Sequence, residues 1–72
     1  MKLIERKTDR GFQRVDFRDM FDNNCSIQES SNIEKSIWIG QDENRMIIKQ
    51  EDCLTIALYL IEFYKNGELF QY

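Results

Sequence analysis

Seventy-two residues with ten basic, thirteen acidic and no histidine give a formal net charge of −3, enough chain for one domain (1–72) but short of the length at which a hydrophobic core is secure by itself. Without histidine the chain lacks the commonest general base, the commonest metal ligand and every Ser-His or Cys-His dyad. Cys25 and Cys53, its two cysteines, cannot make a disulfide scaffold or complete a zinc site, which leaves oligomerisation as the expected supplement to the core.

Met1 to Arg6 lacks the apolar run of a signal peptide, and no segment approaches the roughly 18 apolar residues of a bilayer span. The expectation is a soluble cytoplasmic protein without a membrane partner, its cysteines reduced and buried as small hydrophobes. Residues 1 to 20 sum to +2 and the remainder to −5. Neither sign forms the block that marks a nucleic-acid tail, so nucleic acid is not expected as a partner.

Lys2 to Lys7 predicts a first strand, Thr8-Asp9-Arg10-Gly11 a turn, and Phe12 to Phe17 a second strand with Val15 and Phe17 alternating toward a core. Asp22-Asn23-Asn24 has turn chemistry and leads into a third strand, where Cys25 and Ile27 are expected in the core with Ser26 and Gln28 on the other face. A polar loop from Glu29 to Lys35 precedes Ile37-Trp38-Ile39. Gly40 ends that strand, and Gln41 to Asn44 turn the chain into Arg45 to Ile48. Connections this short make an antiparallel meander.

From about Gln50 to Asn66 the period becomes helical, with Glu51 and Asp52 at the positive end of the dipole, Lys65 at the negative end and Gly67 at the left-handed cap position. Cys53, Ala57, Leu60 and Tyr64 lie on one stripe; Leu54, Leu58 and Ile61 lie on another. This apolar surface is wider than one sheet face would cover. The fold class is therefore α+β, a meander of about four strands packed on one C-terminal helix. Leu54, Leu58 and Ile61 are the expected self-association surface of a homodimer, with the tail Leu69-Phe70-Gln71-Tyr72 as the competing cover.

No catalytic residue, metal ligand or cofactor is expected. Gly11, Gly40 and Gly67 are isolated and open no phosphate loop, and the acidic pairs Asp42/Glu43 and Glu51/Asp52 do not converge on one bond. Gln28, Ser30, Ser31, Trp38 and Arg45 suit binding better, because hydroxyl, amide and guanidinium groups offer hydrogen bonds beside a flat aromatic face. The competing reading is structural, with Gln28 bonding across the sheet, the serines forming a turn and Trp38 anchoring the core.

Cys25-Ser26-x-Gln28-x-Ser30-Ser31, Ile37-Trp38-Ile39-Gly40, Arg45-Met46 and a helix closing on a glycine together resemble a group of small uncharacterised phage and prophage proteins, over roughly residues 12 to 69. Lys49 stands where that group tends to place a hydroxyl cap. With the small size and lack of catalytic equipment, the resemblance implies a non-enzymatic phage-type accessory protein in the cytoplasm of a bacterial host, acting by binding a host protein and inhibiting a component of antiviral defence. The alternatives are a nucleotide or small-anion sponge, in which two subunits enclose the ligand with Arg45, Ser30 and Ser31, and a structural subunit.

Overall fold

The computed structural model describes residues 1–30 and 35–70. Strands β1 (Ile4–Lys7), β2 (Gln13–Arg18), β3 (Asn24–Glu29), β4 (Ser36–Gln41) and β5 (Asn44–Lys49) form one antiparallel sheet in chain order, and helix α1 (Gln50–Asn66) follows β5 directly. The α+β meander is as expected, with five strands where about four were predicted. No described helix is long and apolar enough to cross a membrane.

Each connection has an identifiable cause. Between β1 and β2, Gly11 adopts φ +86° while the Thr8 hydroxyl accepts a hydrogen bond from the Phe12 amide at 3.1 Å. Between β2 and β3 the organiser is Asp19, which sequence reasoning passed over: its Oδ1 accepts from the amides of Phe21 and Asn23, both at 2.9 Å. That frees Asp22 to take φ +66°, a backbone region that Asp tolerates. Between β4 and β5, Gln41 and Asn44 pair and leave Asp42-Glu43 as a two-residue connection. The backbone bends at Gly40, φ +137°, where a Cβ would collide with the Asn44 carbonyl oxygen.

Register assigns the two faces of the sheet. One face carries Val15 and Phe17 of β2, Cys25 and Ile27 of β3, Ile37 and Ile39 of β4, and Met46 and Ile48 of β5. The other carries Arg14 and Asp16, Ser26 and Gln28, Trp38, and Arg45. Burial inverts the expectation for β3. Ser26 and Gln28 are buried, at 2% and 7% exposure, whereas Cys25 and Ile27 are only half-buried. Long neighbours overhang the small polar pair, while the apolar face has little over it; Ile48 is the one hydrophobic side chain buried among the described residues.

The helix explains the inversion. No α1 residue is buried, and its sheet contacts concentrate on the adjoining β5. The expectation of a helix lying on the sheet, with one stripe covered, is therefore corrected: Leu54, Leu58 and Ile61 are 68%, 55% and 48% exposed, and Leu60 and Tyr64 of the other stripe are exposed as well. Within the two stripes only Cys53 and Ala57 are half-buried, as is Glu62 outside them. Lys49 makes no side-chain cap, and instead the Gln50 amide donates to the Lys35 carbonyl at 3.0 Å, tying the first helical residue to the start of β4. At the far end Gly67, φ +73°, donates its amide to the Phe63 carbonyl, the expected left-handed closure. Both cysteines are free and half-buried, short of the burial expected.

Two outcomes test these connections. Gly40→Ala forces a side chain into an occupied, left-handed position and is expected to destabilise the chain by about 2–3 kcal/mol, measured by urea denaturation. Asp19 provides a pH signature. Hydrogen bonds from the Asn23 backbone and then its side chain hold the Asp19 carboxyl below the ordinary aspartate value of 3.8. A depressed folded value gives stability that is present above the unfolded value and lost as pH falls through the folded one. Asp19→Ala is thus expected to melt lower than the parent chain at pH 7, with the gap closing as the pH is taken below the carboxylate range.

Candidate functional site

The polar face brings together three of the five residues predicted to bind. Gln28 and Trp38 are directly opposed across β3 and β4, and Trp38 is opposed in turn by Ile47, which places Arg45 on the diagonal of the same face. The Arg45 guanidinium carbon sits 4.7 Å from the centroid of the Trp38 ring, a cation–π stack. Ser30 lies at the end of the β3–β4 ladder, its amide donating to the Ser36 carbonyl at 3.0 Å. Ser31 lies outside the described residues.

Around this group the sheet adds further charged residues of β1 and β2. Register continues the Gln28/Trp38 row through Arg14 of β2 to Arg6 of β1. Arg14 closes on Asp16 Oδ1 through Nε at 3.0 Å and Nη2 at 2.6 Å, and Arg6 takes the other oxygen at 2.5 Å. One carboxylate therefore serves two guanidinium groups. Strand positions on this face also include Arg18, Arg45 and Lys49, so five cations share the face with one strand acid, while Arg18 and Arg45 pair with Asp22 and Asp42 of the turns. The signal was present in sequence: Arg14, Asp16 and Arg18 alternate with Val15 and Phe17. Only the β2–β3 register shows that the charged set shares a face with Ser26 and Gln28.

Hydrogen bonding on this face is incomplete. Gln28 Nε2 reaches Ser26 Oγ at 3.5 Å, the outer limit of a useful bond. Trp38 Nε1, Arg45 Nε and Ser36 Oγ are buried without partners, although Arg45 reaches Asp42 through Nη2 at 3.3 Å. Three orphaned donors on one face of so small a sheet are unusual, since native chains satisfy nearly all such groups. What the group lacks is acceptors. At the open end of the β3–β4 ladder, where the helix begins, a cavity of about 600 Å³ is lined by residues of both faces, Phe12, Glu29, Ser30, Lys35, Ser36, Ile37, Gln50 and Cys53, so Ser30 borders the strand-to-helix junction.

The second predicted set, Leu54, Leu58 and Ile61, stands on the exposed helix 17 residues long. Leu58 also lines a shallow groove with Thr55, Tyr59 and Glu62, beside which Leu69 and Phe70 of the tail lie. These tail residues remain 50% and 56% exposed, so they cover the helix only in part. Among the described residues no cluster of three or more Cys, Asp or Glu could hold a metal ion.

No family model, curated protein or solved structure matches the chain. Its own geometry and the resemblance noted above therefore carry the functional reading. The orphaned Ser36 hydroxyl offers a direct check. An unsatisfied buried group costs its desolvation, so Ser36→Ala is expected to leave the free chain equally stable or stabilise it by about 1 kcal/mol in urea denaturation.

Proposed function

We propose that the chain is a non-enzymatic accessory protein of phage type that works by binding, an inhibitor of a host antiviral-defence component whose contact surface is the polar face of the sheet. One observation carries the choice of surface: Trp38 Nε1, Arg45 Nε and Ser36 Oγ are buried without acceptors on a single face, beside a surplus of basic side chains. A partner presenting carboxylates complements the basic side chains of this face, and Arg and Trp are the side chains that most often anchor interfaces. The identity of the partner class rests on the resemblance to phage proteins and on small size.

Affinity capture from host lysate tests the reading, comparing the parent chain with Arg45→Glu. The expected outcome is one host protein retained by the parent and reduced at least tenfold by the variant, since reversing a central charge at an interface costs well over 1.4 kcal/mol. Equal retention by both chains, with circular dichroism showing both folded, would remove the polar face from the contact.

A nucleotide or small-anion sponge is the second reading, favoured by the shared Asp16 between Arg6 and Arg14. A ligand at a hundredfold its Kd stabilises a folded chain by about 2.7 kcal/mol, a rise of roughly 10–20 °C in melting temperature for a domain of this size. A melting scan against a panel of nucleotides that leaves the midpoint unmoved argues against this second reading.

A further inference from the structure

We propose that the uncovered apolar face of the sheet is the seat for the helix of a second copy of this chain, so that two copies exchange helices reciprocally. The starting point is the junction. β5 ends at Lys49 and α1 begins at Gln50, with no intervening residue, whereas a chain that lays a helix back over its own sheet ordinarily uses a connection of about 2–6 residues. The Gln50 amide is moreover bonded to the Lys35 carbonyl, which fixes the direction in which the helix leaves. With that junction in place the helix buries none of its residues against its own sheet.

The exposed area gives the scale. A folded monomer of this size exposes about 4,700 Å², whereas this chain exposes 6497 Å², a surplus of roughly 1,800 Å² by the same relation. Its radius of gyration is 13.6 Å against about 11 Å for a compact chain of this length. Two copies each losing the surplus would bury about 3,600 Å² together, within the range of obligate dimers. Dimensions agree: 17 helical residues extend about 25 Å, and five strands span about 19 Å between outer strand axes.

A second copy fits better than an unrelated partner, because each chain carries one uncovered apolar helix and one uncovered apolar sheet face. A two-fold exchange satisfies both at once and closes on itself. The helix offers Leu54, Leu58 and Ile61; the sheet offers half-buried Ile27 and Ile39 and exposed Met46. This differs from helix pairing with helix, which would leave the sheet face bare.

Sedimentation of the 72-residue chain at 1–100 µM, a concentration range on the order of that used for tight dimers, is expected to give a dimer. Leu58→Glu is expected to weaken it about 30-fold or more. Cross-linking separates the arrangements without a disruptive charge. In a background of Cys25→Ser and Cys53→Ser, one copy carries Ile39→Cys at the middle of the sheet face and another Leu58→Cys at the middle of the helix. A short bis-maleimide is expected to join the two in the mixture and to join neither variant to itself. A monomeric parent chain, cross-linking of Leu58→Cys to itself, or a dimer that cross-links in no combination would each overturn the exchange.

Discussion

The strand-to-helix junction at Lys49 and Gln50 is the constraint on which the rest of the molecule depends. A peptide chain reverses direction through residues that adopt turn geometry, and here none is present between β5 and α1. The helix consequently leaves the sheet instead of folding over it, which is why α1 has no buried residue and why the longest dimension is 44 Å. A hydroxyl at the N-cap would ordinarily satisfy one of the first free amides. Lys49 cannot do so, and the Lys35 carbonyl takes the amide of Gln50 instead. That substitution ties the helix to β4 as well as to β5 and fixes its direction from two strands.

Burial within the sheet follows from the same cause. Ordinarily the apolar face is the dry one, because a helix or second sheet lies upon it. With the helix displaced, side-chain length decides burial. Arg14, Trp38 and Arg45 are long enough to overhang Ser26 and Gln28, while the branched aliphatic residues opposite stand half-buried around one buried Ile48. The Arg6–Asp16 ion pair contributes little to stability, because the Arg6 side chain is 58% exposed and water screens such pairs. The face is organised by geometry more than by energy, and its unpaired donors are a standing cost to the isolated chain.

Legibility in the sequence tracks how local each determinant is. Turn chemistry at Thr8–Gly11, the alternation of Val15 and Phe17, and the helix bounded by Glu51 and Gly67 all depend on neighbours a few residues away, and all could be read; Gly40, expected to end its strand, instead lies within β4, paired with Ser26 and Arg45. The association of Gln28, Trp38 and Arg45 was legible as a set because period two puts polar residues on one side of each strand. Three things were not legible. Asp19 organises its turn by accepting from two amides, and nothing distinguished it from the acidic residues nearby. The shared carboxylate of Asp16 needed the register of β1 against β2. The seating of the helix was misread because amphipathic width shows how much surface requires cover without showing which molecule supplies it.

The two proposed surfaces are compatible because they lie on opposite faces of one sheet. A helix arriving from a second copy would occupy the apolar face and leave Arg14, Trp38 and Arg45 pointing outward on each protomer. The proposed dimer would present two copies of the polar face. A partner that is itself oligomeric could engage both, turning the second contact into an intramolecular one whose effective concentration exceeds that of a free chain. In such a dimer folding would be coupled to association: each protomer's apolar face would be completed by the other, so the concentration of the chain would set how much of it is folded and hence how much polar face is available to bind. Association would in this way precede recognition, and the short junction at Lys49 would be the feature that enforces the order.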